Sequence, residues 1–417
     1  MINYIDLFAG AGGLSEGFTQ MGFHPVSHIE MNADACYTLK TRAAYFYLKS
    51  HNKESVYKQY IKGEITREDF YESVPQCILS SVINETMSDD TMDDIYKRID
   101  ELMLQNKVSG IDVIVGGPPC QAYSLVGRSR KSDRMVGDPR NYLYKLYADV
   151  LKKYSPKLFV FENVPGMLTA NKGAYFSDMK KNFESIGYSV NYRLINSADF
   201  GVLQNRRRVI IIGWKVEYNL EYPEFSLYPS QYTVKELFDD LPAIQAGETC
   251  NEYPSDNYSE YLKQTGIRKS GDILTWHTAR PHIERDKTIY RTAIQKWNEN
   301  HSRLRYNDLP DELITHNNTT GFLDRFKVVA SDLPASHTMM AHISKDGHYF
   351  IHPDINQARS ITVREAARIQ SFPDDYYFEG SRTSAFTQIG NAVPPLMSKG
   401  IAKEIKKMIE NIKEQVT

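Results

Sequence analysis

Along the first half of the chain, short β-branched and aromatic runs end at glycine, proline or asparagine and alternate with stretches of helical spacing. NYIDLFAG (3–10), FHPVSHIEMN (23–32), DVIVGG (112–117), KLFVFENV (157–164) and RRVIIIGW (207–214) predict strands. LSEGFTQMG (14–22) predicts a helix closed by glycine. SKGIAKEIKKMIENIKEQ (398–415) places Ile and Met at the spacing of an amphipathic helix. Strands alternating with helices predict an α/β fold, with a mainly parallel sheet covered on both faces and ligands held at the carboxyl ends of the strands.

Two segments break this rhythm. Residues 43–110 are charged and helical in pattern, and they read as an insertion between the second and third strands. Residues 218–355 are irregular, rich in Tyr, Pro and Asn, and read as a smaller second domain. The expected division is a first domain over 1–217 carrying the insertion, a second over 218–355, and a return segment over 356–417 that completes the first.

Composition narrows the class. The 417 residues are 41% hydrophobic and 24% charged, ordinary for a globular chain with a sizeable core, and the net charge of −2 neither favours nor disfavours nucleic acid. The four cysteines (Cys36, Cys77, Cys120, Cys250) form no CxxC pair, which argues against a zinc ribbon or a disulfide framework. His337, His342, His348 and His352 match no common ligand spacing, so no metal is expected. The apolar runs are too short to span a bilayer and the start does not read as a signal peptide, so an intracellular location is expected.

Several motifs carry candidate chemistry. In DLFAGAGGLSEGF (6–18), a strand enters a glycine-rich turn, but Ser15 stands where the third glycine of GxGxxG would be. Glu30, near the end of the next strand, is placed to accept hydrogen bonds from ribose hydroxyls; read alone, the turn fits a structural role as well as a nucleoside site. GGPPCQAYS (116–124) mounts Cys120 after two prolines whose fixed φ stiffens the turn, although a small buried hydrophobe is the commoner fate of a free cysteine. The loop that follows carries Arg128, Arg130, Lys131, Arg134 and Arg140, which suits a lid over phosphates or a merely solvated segment. Glu162 closes a hydrophobic strand, where partial desolvation suits it to hold or donate a proton, although a paired structural Glu is the commoner role of such a residue. In QNRRR (204–208), strand alternation puts Arg206 and Arg208 on one face. Thr362 and Glu365 form a capping-box pattern, with Arg364 and Arg368 either bracing loops or touching phosphates.

In this order, DLFAGAGG, GGPPCQAYS, ENV, QNRRR, the RSITVREAARIQSFPD block and QIGNAVPP closely resemble the DNA (cytosine-5) methyltransferase family, over about residues 3–42, 111–215 and 335–400. The resemblance implies a Rossmann-like domain binding S-adenosylmethionine and a smaller target-recognition domain, with double-stranded DNA between them. It puts Phe8, Gly10, Gly12, Gly13 and Leu14 along the cofactor turn, Glu30 on the ribose, Met31 against the adenine, and Pro118, Leu143, Asn391 and Val393 around the rest of the pocket. The family's acidic contact to the adenine amino group is obscured by the long insertion, and Asn84 or Glu85 stands in for it.

The resemblance also implies the chemistry. Cys120 is the nucleophile at cytosine C6, Glu162 holds or protonates N3, and Arg208 holds the base at O2. Arg206 supports the cysteine loop and a phosphate, while Asn163 and Pro119 position the ring. Gln121 and Ser124 approach the space left by the flipped base, and Arg128 and Arg130 approach the DNA. A compact bacterial or phage modification enzyme is implied: a cytoplasmic monomer acting beside a separate restriction endonuclease or alone. A tRNA cytosine-5 methyltransferase of the same fold is the nearest rival, but the Cys-Phe-Thr signature of that branch does not occur. A non-catalytic DNA-binding relative is a second rival, and it would have no need of Cys120, Glu162 and Arg208 together.

Overall fold

The computed structural model describes residues 1–119, 143–315 and 323–416. The chain opens with β1 (Ile2–Leu7), α1 (Gly13–Gln20), β2 (Phe23–Glu30) and α2 (Ala33–Ser50). Next come α3 (Glu54–Ile61), α4 (Arg67–Glu72), α5 (Gln76–Ser80), β3 (Val82–Asn84) and α6 (Met92–Gln105). The sheet continues with β4 (Val113–Gly116), α7 (Leu143–Tyr154), β5 (Leu158–Asn163), α8 (Ala174–Ser185), β6 (Tyr188–Asn196) and β7 (Arg207–Lys215). The irregular stretch beyond it contains α9 (Glu260–Thr265) and α10 (Glu284–Asn300), and the chain returns through α11 (Val363–Ile369), α12 (Arg382–Asn391) and α13 (Pro395–Val416).

The sheet has 7 strands in the order β3-β2-β1-β4-β5-β7-β6. Neighbours from β3 to β5 pair in parallel, and β7 runs antiparallel to both β5 and β6. The parallel strands are apolar because both faces are covered. Alternate residues feed two separate cores. Tyr4, Val113, Val115, Leu158 and Val160 join the face packed by α1 and α13. Ile5, Leu7, Ile114, Phe159 and Phe161 join the face built with Ile95, Tyr147, Leu151 and Phe183.

Two strands depart from the sequence expectation. The stretch expected as an insertion holds β3, which extends the sheet through His28, Ile29 and Glu30 of β2. Ile95, Ile99 and Leu102 of α6, also from that stretch, are core residues. β6 lacked a continuous apolar signal because Asn191, Tyr192, Arg193 and Leu194 in its middle are exposed. Pro25 is tolerated inside β2 because the register slips between Tyr4 and Ile5, and β3 pairs only farther along the strand.

Residues 218–355 do not pack as one isolated core. Tyr222, Leu237, Tyr261, Val329 and Phe350 join the same cluster as Tyr4 and Ile401, while Ile289, Tyr290, Leu304 and Phe326 form a small cluster of their own. Buried charges reinforce the connection. Arg368 bonds Asp240 at 2.5 Å and Asp374 at 2.6 Å, and Arg364 reaches Asp374 at 3.4 Å. Burial alone would raise the Asp374 carboxyl, but the two guanidiniums outweigh it and hold the group below its ordinary range. Arg364 and Arg368 therefore brace loops. Among the described residues no helix is long and apolar enough to cross a membrane.

Candidate active site

β1 lies between β2 and β4, so the carboxyl ends of these strands open a crevice at the switch point of the sheet. The turn after β1 is wound through positive φ at Phe8 (58°), Gly10 (55°) and Gly12 (76°). Phe8 is the unusual one, since a bulky residue is seldom found there, and such strain is characteristic of functional sites. Gly13 admits no side chain, because a Cβ would lie 2.2 Å from the Val393 carbonyl. At Gly10 a Cβ would meet nothing within 4 Å, so the turn opens outward there.

Glu30 holds the turn in place. Its Oε2 accepts the Gly10 N–H at 2.8 Å, and its Oε1 accepts the Asn32 N–H at 2.8 Å. A carboxylate has about four acceptor positions, so both oxygens can still receive hydroxyl donors. Met31 beside it is 64% exposed, a large apolar side chain facing outward. Asn84, at the end of β3, donates its side-chain amide to the carbonyls of Glu30 (3.1 Å) and Met31 (3.0 Å), leaving its Oδ1 as an acceptor. Glu85 instead turns its carboxylate to the Thr86 N–H. Of the two residues, the structure brings Asn84 to Met31.

The other expected cofactor residues fall around this turn in different ways. Leu14 and Val393 are buried in the core that backs it, so their side chains shape the turn without facing outward. Asn391 is exposed at the end of α12, and Leu143 is half-buried at the start of α7. The Pro118 carbonyl accepts the Asn163 side-chain amide at 3.2 Å, which ties the chain after β4 to the end of β5.

That junction forms the second half of the site. Gly116 and Gly117 bring β4 against its neighbours, and an added Cβ would lie 2.2 Å from the Leu7 carbonyl or 2.7 Å from both the Glu162 carbonyl and Oε2. Glu162 Oε1 receives Arg208 Nε at 2.7 Å, with both side chains largely buried (14% and 13% exposed). The described chain reaches Pro119. Cys120, Gln121, Ser124, Arg128 and Arg130 lie outside the described residues.

Arg206 is not where strand alternation put it. β7 begins at Arg207, so Arg206 belongs to the preceding turn and does not share a strand face with Arg208. Its guanidinium is buried and donates to the carbonyls of Met339 (2.7 Å), Gly390 (3.1 Å) and Asn391 (3.3 Å). These contacts pin the returning segment beside the glycine turn; the cysteine loop that Arg206 was expected to support lies outside the described residues.

Sequence reasoning missed the clamp behind the turn. The Tyr376 hydroxyl donates to the Ala11 carbonyl. Arg42 bonds Glu16 at 2.6 Å and Asp375 at 2.9 Å. The DDYYF stretch gave only a weak hint, since tyrosines abound throughout the chain. The four C-terminal histidines engage protein groups: His337 meets the Tyr349 carbonyl, His348 meets Tyr290, His342 packs against Tyr349, and His352 lies 3.6 Å from Glu365. Among the described residues no group of three or more His, Cys, Asp or Glu is arranged to hold a metal ion.

A mostly parallel sheet with one antiparallel strand, a glycine turn at its switch point and a largely buried Glu–Arg pair fit a Rossmann-like methyltransferase fold. The C-5 cytosine-specific DNA methylase profile matches residues 2–75 and 82–407, and the chain belongs to that family. The chain is 42% identical over 440 residues to the type II methyltransferase M.Bpa9945I of Bacillus paralicheniformis, covering 97% of this chain and 98% of that one. It is 32% identical over 437 residues to the type II methyltransferase M.DdeI of Desulfomicrobium norvegicum, covering 99% and 90%. Among solved structures, an E. coli prophage protein described as a DNA modification methyltransferase shares the fold, with a TM-score of 0.67 at 22% identity over 98% of this chain and 100% of that one. The enzyme is thus a DNA cytosine-5 methyltransferase.

Proposed function

We propose that the crevice binds S-adenosylmethionine and that Cys120, Glu162 and Arg208 carry the reaction on a cytosine flipped out of duplex DNA. The observation that carries this reading is the Glu162–Arg208 pair, set across from Gly117 at the mouth of the Pro118-Pro119 turn. The open face of the turn at Gly10, with the Glu30 carboxylate and exposed Met31 beside it, fits an adenosine moiety. Glu30 would take the ribose hydroxyls, Met31 and Phe8 the apolar adenine face, and Asn84 Oδ1 the adenine amino group. When bound, the cofactor supplies an electrophilic methyl group.

The protein's task is to make C5 nucleophilic. The Cys120 thiolate forms a bond to C6, and the C5–C6 π pair moves onto C5. Glu162 delivers a proton to N3 and Arg208 donates to O2, so the negative charge brought by the thiolate is neutralised. After methylation, loss of the C5 proton to water restores the double bond and expels the thiolate. Residues 218–355 supply target recognition in this reading, reached through Arg and Asn at base edges. The printed names of the relatives support a type II modification role beside a separate endonuclease.

The test is methyl transfer from labelled S-adenosylmethionine to duplex DNA and, in parallel, to tRNA. Cys120→Ser is expected to abolish transfer and covalent capture by 5-fluorocytosine DNA while retaining cofactor binding. Normal turnover by that variant, or a product methylated at adenine or at cytosine N4, would overturn the assignment.

A further inference from the structure

A cavity of about 330 Å³ lies between the end of α10 and the chain around residues 326–338. Its lining includes Trp297, Arg303, Lys327 and His337, together with Asn205 and Thr338. No Asp or Glu lines it. Among the described residues, neither Arg303, which is exposed, nor Lys327, which is half-buried, has a carboxylate within ion-pair distance. The Lys327 ammonium sits 5.0 Å over the Tyr349 ring.

The electrostatics match this inventory. Burial, with Arg303 adding to it, pulls the Lys327 ammonium below its ordinary range, and Asp324 offsets this only in part. Burial also pushes His337 down to about 4; the Tyr349 carbonyl opposes this, while Lys327, Arg303 and His342 reinforce it. The cavity therefore presents an exposed and a half-buried cation with no acidic residue in its lining, a surface that attracts an anion.

Its position connects it to the chemistry. The Thr338 hydroxyl donates to the Asn205 carbonyl at 2.6 Å, so the cavity wall continues into the strand that carries Arg208. Asn205 precedes Arg208 by three residues, a chain length of at most ~11 Å, or about three base-pair steps along a duplex. We propose that this cavity grips the sugar–phosphate backbone of the substrate duplex a few steps from the target cytosine, with Arg303 and Lys327 as the phosphate contacts. The proposal rests on the reading that the substrate is duplex DNA. Phosphate contacts set register and affinity and carry no sequence information.

The test measures binding of the full-length protein to two duplexes, with and without the recognition sequence, from about 50 to 200 mM salt. Arg303→Ala and Lys327→Ala are each expected to weaken both duplexes alike and to make the log–log salt slope shallower by about 0.9, with the double variant losing about twice that. Lys327→Arg should restore the slope, and methyl transfer by the Ala variants should recover at low salt, which a misfolded protein could not do. An unchanged slope in the double variant, or a loss confined to one sequence, would overturn the proposal while leaving duplex methylation by the wild type intact. Failure of the wild type to methylate any duplex would instead overturn the underlying reading.

Discussion

Arg208 Nε sits 2.7 Å from Glu162 Oε1, an ion pair joining two antiparallel strands at the mouth of the crevice. The guanidinium fixes the orientation of the carboxylate as well as balancing its charge. Glu162→Gln keeps the shape and removes the charge, and kcat should fall by about 10²–10⁴ with cofactor affinity unchanged. Arg208→Met should fall in the same range, and the double variant should be no worse than the poorer single, because the two act as one unit. Single-turnover methyl transfer and cofactor titration of the three variants measure this. Strictly additive losses would show that the residues act separately.

Gly117 packs against that carboxylate. Gly117→Ala places a Cβ 2.7 Å from Glu162 Oε2 and from its backbone carbonyl. We expect a loss of about 1–3 kcal/mol in stability from overpacking, with a fall in kcat of tenfold or more as Glu162 is displaced. Gly110→Ala meets nothing within 4 Å and serves as the neutral comparison. Urea unfolding and initial rates of both variants decide the matter.

The clamp behind the glycine turn separates stability from the proposed cofactor binding. Arg42 is buried between Glu16 and Asp375, so Arg42→Met leaves Glu16 without its cation, while Asp375 keeps Lys269 at 2.7 Å, and should cost about 3–5 kcal/mol. Tyr376→Phe removes only the donor to the Ala11 carbonyl. It should raise KM for S-adenosylmethionine several-fold while kcat at saturation holds. A drop in kcat without a change in KM would place Tyr376 elsewhere in the mechanism.

Asp6 supplies a pH dependence with a definite sign. Burial lifts its carboxyl from 3.8 to about 7, against the opposing hydrogen bond from Ser15, and its Oδ1 has no partner among the described residues. The folded protein keeps a proton that the unfolded chain releases. The associated stability is therefore full below pH 3.8, declines as pH rises toward 7 and is gone above it. The difference amounts to ~4 kcal/mol at about 1.4 kcal/mol per tenfold change in proton affinity. Asp6→Asn cannot ionise and should flatten part of that decline between about pH 5 and 7.5 in thermal melts. Asp272, also lifted to about 7 by burial, retains its own share. A variant that tracks the wild type across this range would exclude Asp6 as the group.

The main strands and the glycine turn were legible because they depend on local rules. DVIV and LFVF are apolar on both faces, and Gly12 and Gly13 sit where side chains cannot. β3 was lost because three residues carry no periodicity, and β6 because an edge strand needs no apolar middle. Arg206 was misplaced because the alternation argument assumed a strand that starts one residue later. Arg42, Tyr376 and Arg368 were beyond reach for a different reason. Their partners lie 333, 365 and 128 residues away, and no local pattern reports such distances.

The same separations bear on how the protein is made. The Ser398 hydroxyl bonds the Leu14 carbonyl across 384 residues, and Gly17 lies so close to the Ser398–Lys399 backbone that a Cβ there would be 2.3 Å from the Lys399 nitrogen. At roughly 5–20 residues per second of synthesis, the ribosome delivers α1 some 20–80 s before the helix that covers it. A nascent chain therefore carries the glycine turn without its lid for most of its time on the ribosome. A chain that stops before α13 leaves that face of α1 uncovered.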